Sequence, residues 1–300
     1  MTIKLPDLIS KAEVLVEALP YIRAFAGKIF VIKYGGHAMV SDELKESVMT
    51  DLVLLKYIGA HPVLVHGGGK EVNGVMEKLG KEPVFINGLR VTDEETMEIV
   101  EMVLVGKVNR QIVSLINQKG GQGVGLSGKD ANLLQARRKG PQPPADDPSG
   151  EKVDLGRVGE ITAVNPESLQ ILMEHGYIPV IAPIGADTTG ESLNINADHV
   201  AGELAVALKA EKYILLTDVE GIYRRENSQE PVFLSSLRES EARDMIRKGE
   251  INGGMIPKVE SCLQVIEHGI SKAHIIDGRI PHSLLLEVFT DRGIGTMVVR

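Results

Sequence analysis

Along most of the chain, short Val/Ile-rich runs alternate with longer stretches of helical pattern. Ile29 to Lys33, Val63 to His66 just after Pro62, Ile178 to Ala182, Tyr213 to Thr217 and Ala273 to Ile276 read as strands. Asp42 to Ile58, Asp93 to Gln118 and Ala197 to Ala210 carry helix formers and read as helices. Repeated βα alternation predicts an α/β fold with an open, mainly parallel sheet sandwiched between helices. Ligands of such sheets sit beyond the carboxyl ends of the strands, where glycine loops lead into helices.

Two segments break the alternation. In residues 7 to 25, Leu8, Ala12, Leu15, Leu19 and Ile22 form one helical stripe and Val14, Ala18, Tyr21 and Phe25 a second, before the first strand begins. Two apolar faces fit packing on the same domain or on another subunit, and Pro20 is expected to kink the helix or end its first part at Leu19. Arg137 to Lys152, with Pro141, Pro143, Pro144 and Pro148, reads as a surface loop.

Composition narrows the class. A chain of 300 residues with 43% apolar and 25% charged residues is a folded globular protein, long enough for two lobes. The 33 Lys plus Arg against 41 Asp plus Glu leave a net charge of -8, so no global basic field exists for nucleic acid or an anionic membrane. An anionic ligand has to be met by local cations. Cys262 is the one cysteine, which excludes an internal disulfide, disfavours a zinc cluster and suits a reducing cytosol. No secretory signal or long apolar run is evident, so a soluble, cytoplasmic protein is expected.

Chemistry concentrates at the glycines. Gly123 to Gly128 satisfies a dinucleotide fingerprint, and Lys129 completes most of a P-loop. Both fail on context: a long helix precedes the segment, no helix clearly follows, and Asp130 stands where a P-loop needs Ser or Thr. A glycine-rich turn is the plainer expectation. Lys33-Tyr34-Gly35-Gly36 and His66-Gly67-Gly68-Gly69 instead follow buried strands directly and lead towards helices, as paired anion-binding loops would. Tight packing explains one such loop, but two at one sheet edge favour a phosphate or carboxylate site.

Lys258, beside Pro257 at a helix start, opposes the helix dipole, so it is either a solvated lysine or a partner of a bound polyanion. Asn194, Asn196 and Asp198 precede a helix that needs only one cap, which leaves at least one of them for a ligand. Arg90 offers a rigid fork suited to a carboxylate or to an exposed ion pair. Asp218 ends another strand, where it could meet a ribose, a metal or a backbone turn.

In order, Lys33-Tyr34-Gly35-Gly36, His66-Gly67-Gly68-Gly69, Gly88-Leu89-Arg90-Val91-Thr92, Asn194 to Asp198, Leu216 to Gly221 and Gly254 to Lys258 resemble the amino-acid kinase family. Gly-Leu-Arg-Val-Thr resembles the branch whose acceptor is N-acetylglutamate. The resemblance implies an eight-stranded, mostly parallel sheet, with an acceptor lobe over residues 26–185 and an ATP lobe over 186–300. It implies transfer of the ATP γ-phosphoryl to the side-chain carboxylate of N-acetyl-L-glutamate, with Mg²⁺ held through phosphates and water and no protein metal site. Lys33 and Lys258 would be the transition-state cations and Asp198 would hold both ammonium groups. Gly68, Gly69, Arg90, Asn194 and Asn196 would bind the acceptor, Gly35 and Gly36 would face the phosphoryl group, and Asp218 would belong to the nucleotide lobe. His37 departs from the usual Asn or Ala after the glycine pair. Residues 1–25 and the tail from Gly278 to Thr290 resemble the arginine-inhibited branch, which implies a hexamer built as a trimer of dimers. His274, Glu287 and Gly293 would then lie in an arginine pocket. A kinase of an aminoadipate derivative, or a noncatalytic amino-acid sensor on the same fold, is the alternative.

Overall fold

The computed structural model describes residues 5–39, 41–144, 150–224, 230–290 and 293–300, without the side chains of residues 7, 10 and 37. Eight strands make the main sheet: β1 (Ile29–Tyr34), β2 (His61–His66), β3 (Gly123–Ser127), β4 (Ile178–Ala182), β5 (Lys212–Thr217), β6 (Ser236–Arg238), β7 (Lys272–Asp277) and β8 (Thr296–Val299). Their spatial order is β6-β8-β7-β5-β1-β2-β4-β3. Every neighbouring pair is parallel except β7 with β8. The expected mainly parallel sheet is present.

Ten α-helices are described: α1 (Leu5–Phe25), α2 (Asp42–Tyr57), α3 (Gly69–Lys78), α4 (Glu94–Glu101), α5 (Arg110–Gln118), α6 (Glu167–Glu174), α7 (Ala197–Ala207), α8 (Glu239–Arg247), α9 (Ile256–Glu267) and α10 (Ser283–Val288). Side chains alternate across the strands, so each face of the sheet meets its own helices. Val31, Val65, Tyr213, Leu215 and Ile275 enter one core with residues of α6, α7, α8 and α9. Phe30, Ile32, Leu64, Ile214 and Ile276 enter the other with residues of α2, α3, α4, α5 and α10.

A second sheet of four short strands, Ser192–Asn194, Ile184–Ala186, Leu134–Arg138 and Gly159–Val164 in spatial order, carries Asn194. A two-stranded hairpin, Phe85–Ile86 with Leu89–Arg90, carries Arg90. Its turn residues Asn87 and Gly88 have φ 49° and 77°, the left-handed conformation that Asn and Gly accept most readily.

Three local expectations need correction. Pro20 does not end the first part of α1 at Leu19, since the helix runs through it, and the hydrogen bond it cannot donate falls in an exposed stretch of the helix. The long helix over 93–118 is α4 and α5 joined by eight π-helical residues, Met102–Asn109. Of the fingerprint-like glycines, only Gly128 lies in a turn, while Gly123 and Gly125 lie in the edge strand β3 that precedes it. Their absent side chains make room for a helix: a Cβ on Gly125 would stand 1.8 Å from Asn109 Oδ1, and one on Gly123 would stand 3.2 Å from Ile116.

In the loop expected over 137–152, Arg137 and Arg138 end a strand and Gln142 bridges Val153, while residues 145–149 lie outside the described residues. Among the described residues no helix is long and apolar enough to cross a membrane.

The last turns of α1 pack on the body of the chain. Phe25 meets Phe30 edge to face at 5.1 Å, and Tyr21 meets Phe289 at 6.2 Å. Leu8, Val14, Leu15 and Leu19 are exposed, so the stripes are uncovered within this chain over the helix before its last turns, where Ala18, Tyr21, Ile22 and Phe25 are half-buried.

Candidate active site

The two glycine loops lie side by side because β1 and β2 are parallel neighbours, with Lys33 paired to Val65 and Tyr34 to His66. The Gly67 N–H donates to the Tyr34 carbonyl at 2.7 Å and joins them. Gly35 is required by a close approach: a Cβ there would be 2.9 Å from Lys33 Nζ, so the lysine folds back over its own loop. Gly68, at φ +151°, is required twice, since a Cβ would also meet Leu104 Cδ2 at 2.5 Å. Gly69 opens α3, whose first-turn N–H groups and positive dipole end favour an anion.

On the other side of the cleft, Asn196 caps α7, its Oδ1 accepting from Asp198 N at 2.8 Å and His199 N at 3.4 Å. That cap fixes Asp198 in the first turn, where Oδ1 stands 3.0 Å from Lys33 Nζ, each side chain 15% exposed. The Asp198 carbonyl accepts from Tyr213 at 3.1 Å and from Ser261 at 3.3 Å, which ties α7 to β5 and α9. Burial, then the Asp198 charge, raises the Tyr213 phenol and the Cys262 thiol, so both stay neutral.

Two adjoining cavities, of about 350 Å³ and 210 Å³, share Gly67, Gly68, Gly69, Phe85, Asn196 and Ala197. The larger adds Lys33, Gly35, Gly36 and Asp198; the smaller adds Arg90 and Asn194 with apolar Val72, Leu89, Val100, Leu104 and Val158. Arg90 is 7% exposed and donates to the Gly69 carbonyl at 3.1 Å, to Asn73 Oδ1 and to Met76 Sδ, while its guanidinium lies 4.7 Å from the Phe85 ring centroid. No acidic side chain pairs with it among the described residues, and burial lowers its pKa. Thr92 joins the walls of this cavity: its hydroxyl donates to the Arg90 carbonyl at 2.7 Å and accepts from Asn194 Nδ2 at 3.2 Å.

The structure thus brings Lys33, Asp198, Gly35, Gly36, Gly68, Gly69, Arg90, Asn194 and Asn196 to one cleft. Lys258 stands apart. It does not share Asp198 with Lys33; its ammonium donates to the Gly254 carbonyl at 3.3 Å, one turn back, although Ser261 on the same helix reaches the Asp198 backbone. Asp218 accepts from Thr217 Oγ1 at 3.2 Å beyond the end of β5, close enough to Asp277 for their charges to interact.

His274, Glu287 and Gly293 form a separate buried cluster. His274 Nδ1 and Glu287 Oε1 are 2.7 Å apart, and Glu287 Oε2 accepts from the N–H groups of Ile294 and Gly295 at 2.8 and 3.0 Å. A Cβ on Gly293 would strike Glu287 Oε2 at 2.6 Å. Burial alone would raise the Glu287 carboxyl, but the His274 hydrogen bond and charge and the two N–H groups outweigh it and leave it lowered. Lys212, buried and lowered by burial, feels the Glu287 charge and lies 5.3 Å from the Phe25 ring centroid at the foot of α1.

Thr92, Asn73, Phe85 and Lys212 went unassigned from sequence. Thr92 stood in a recognised motif, and Asn73 lies one helical turn beyond Gly69. For Phe85 and Lys212 no sequence signal marks contacts that only the tertiary fold creates.

The sequence pattern of the amino acid kinase family matches residues 28–277. The acetylglutamate kinase of Methanocaldococcus jannaschii is 56% identical over 294 residues, covering 98% of this chain and 98% of that protein. That of Carboxydothermus hydrogenoformans is 58% identical over 291 residues, covering 97% and 98%. Among solved structures, N-acetylglutamate synthase from Neisseria gonorrhoeae complexed with coenzyme A and N-acetyl-glutamate superposes with a TM-score of 0.80 at 26% identity, over 96% of this chain. The chain spans 63% of that synthase. The same synthase with coenzyme A and L-arginine gives a TM-score of 0.77, with 96% of this chain and 65% of that one covered.

Proposed function

The chain belongs to the amino acid kinase family, and within it we propose that it is an acetylglutamate kinase, transferring the γ-phosphoryl of ATP to the side-chain carboxylate of N-acetylglutamate. The observation that carries the acceptor is Arg90, a buried cation whose protein partners are neutral, facing a cavity with apolar walls and a helix N-terminus. A buried charge without an ionic partner is costly, and a carboxylate in the cavity would supply one. The apolar wall suits the remainder of a small acylated amino acid.

The acceptor carboxylate is ionised at neutral pH, so the reaction needs positioning and charge neutralisation rather than a strong base. Lys33, pinned by Asp198 and laid over Gly35, presents a cation in the larger cavity, beside the glycines that both cavities share. Gly35 and Gly36 take the phosphoryl side of the cleft, Gly68 and Gly69 the acceptor, and Arg90 with Asn194 the acceptor's own carboxylate. Asn196 spends its Oδ1 on the α7 cap, so its part is to hold Asp198. Lys258 would supply the second cation, leaving the Gly254 carbonyl on which its ammonium rests in this structure. Mg²⁺ would arrive on the nucleotide, held by phosphates and water, and neutralise charge there. Residues 26–185 supply most of the acceptor side, with Asn194 reaching it from the second lobe, and 186–300 the nucleotide side, Asp218 among them.

Two further parts of the reading concern regulation. The His274–Glu287 pair beside Lys212, under the foot of α1, offers a carboxylate for a guanidinium and an ammonium for an amino acid's own carboxylate, and we assign it as an arginine site. The uncovered stripes of α1 pack on a second copy of the chain, giving a hexamer built from dimers. We place the reaction in the cytoplasm, where a lone buried thiol stays reduced.

Coupled ADP release with N-acetylglutamate, glutamate, aspartate, carbamate and an N-acylated aminoadipate, each with and without arginine, tests the reading. Turnover confined to N-acetylglutamate supports it. Preference for aminoadipate moves the substrate, and no turnover with any acceptor removes the enzyme.

A further inference from the structure

Beneath the Gly67–Gly69 loop lies a buried polar pair that the phosphoryl-transfer scheme does not use. His66, the last residue of β2, and Asn109, the last residue of the π-helical turn, are both fully buried. His66 Nδ1 is 2.7 Å from the Gly67 carbonyl, and His66 Nε2 is 3.2 Å from Asn109 Nδ2. The second hydrogen of the same amide goes to the Val180 carbonyl at 2.9 Å, on the neighbouring strand β4.

These contacts leave one arrangement of protons. A carbonyl can only accept, so Nδ1 carries the hydrogen, and Nε2, left with its lone pair, accepts from the amide. A flipped Asn109 would set oxygen against oxygen at Val180 and against the lone pair of Nε2. The fixed amide turns its Oδ1 to Gly125, which is why β3 has glycine there. Burial lowers His66 to about 4, so the imidazole is neutral at physiological pH and the chain of bonds persists.

The π-helical turn is what lets one helix serve both ends of this arrangement. Its residues Leu104 and Val108 press on Gly68, the nearest atoms lying 2.5 and 3.4 Å from where a Cβ would be, while Asn109 reaches the histidine. Insertions of this kind in a helix are often found at functional sites. We infer that His66 and Asn109 are positioning residues of the acceptor site: by holding the Gly67 carbonyl away from the cleft they set the peptides of Gly68 and Gly69 so that their N–H groups face the acceptor. The inference rests on the reading of this cleft as the acceptor site.

Imidazole ¹⁵N NMR of the full-length protein, with titration from pH 5.5 to 8, tests the proton arrangement without any turnover. A His66 signal with Nδ1 protonated, Nε2 bare and no titration over that range is expected; an Nε2-protonated or titrating ring overturns the inference. Steady-state kinetics of Asn109→Leu, checked for folding by circular dichroism, tests the consequence. The variant is expected to raise KM for N-acetylglutamate by on the order of ten-fold and to leave KM for ATP near its original value. Unchanged acceptor KM and kcat in the folded variant overturn the positioning role. Failure of the unaltered enzyme to turn over would count against the kinase reading, while the ¹⁵N result still decides the His66–Asn109 arrangement.

Discussion

Lys33 Nζ and Asp198 Oδ1 stand 3.0 Å apart across the cleft, one at the end of a central strand and the other in the first turn of α7. Neither residue could hold this position alone. The lysine is bent over a glycine with no side chain, and the aspartate is fixed by the Asn196 cap. The cation is therefore in place before any phosphate arrives, which is the preorganisation that electrostatic catalysis requires.

Removing that cation with Lys33→Ala is expected to lower kcat by on the order of 10²-fold or more with folding intact. Lys258→Ala should do the same, although Lys258 rests against a backbone carbonyl in the structure. ADP release at saturating substrates measures both, and undiminished turnover in either variant takes that lysine out of the mechanism.

Arg90→Lys keeps the charge and loses the fork that reaches Gly69, Asn73 and Met76 together. KM for N-acetylglutamate should rise by about ten-fold or more while KM for ATP changes little. An equal rise in both would assign Arg90 to a different site.

Acid should weaken the fold before most carboxylates titrate. His61, His66, His199 and His274 are all lowered, chiefly by burial, His66 to about 4, so between that pKa and the ordinary 6.5 the unfolded chain binds more protons than the folded one. Stability contributed by these groups is present above pH 6.5 and is lost as pH falls towards 4. Asp51, raised by burial to about 6 despite its His282 contact, works in the opposite sense between its ordinary 3.8 and 6, but it is one group against four. Thermal unfolding from pH 4.5 to 7 should show a midpoint that climbs with pH; a flat or falling profile contradicts this balance.

Deleting residues 1–25 stops short of the strand that carries Lys33 and removes the uncovered stripes of α1. The truncated chain is expected to keep its kinase activity, to sediment as a smaller oligomer, and to respond weakly to arginine because Phe25 no longer covers Lys212. Sedimentation with activity measured across arginine concentrations gives both readouts. Unchanged assembly and unchanged arginine response would reduce α1 to an intrasubunit element.

The sequence by itself determined the βα frame and the loops that matter. Buried parallel strands are apolar on both faces, so their runs are visible one by one, and a glycine pair directly after such a run has little other use than a tight approach of backbone to ligand. Lys33 and Gly68 were legible in this way, while Arg90 and Asp198 stood out only through the ordered set of motifs that resembles the family. The tertiary structure alone decided contacts between residues far apart in the chain. Asn109 accounts for Gly125 and shapes the loop after His66, although no local pattern links the three. The π-helical turn that puts Asn109 there is invisible to a periodicity close to that of an ordinary helix. Which of three polar residues would cap α7 and which would meet Lys33 was likewise open until the chain folded, because Asn194, Asn196 and Asp198 are all competent caps and differ only in where the second sheet and the helix start place them.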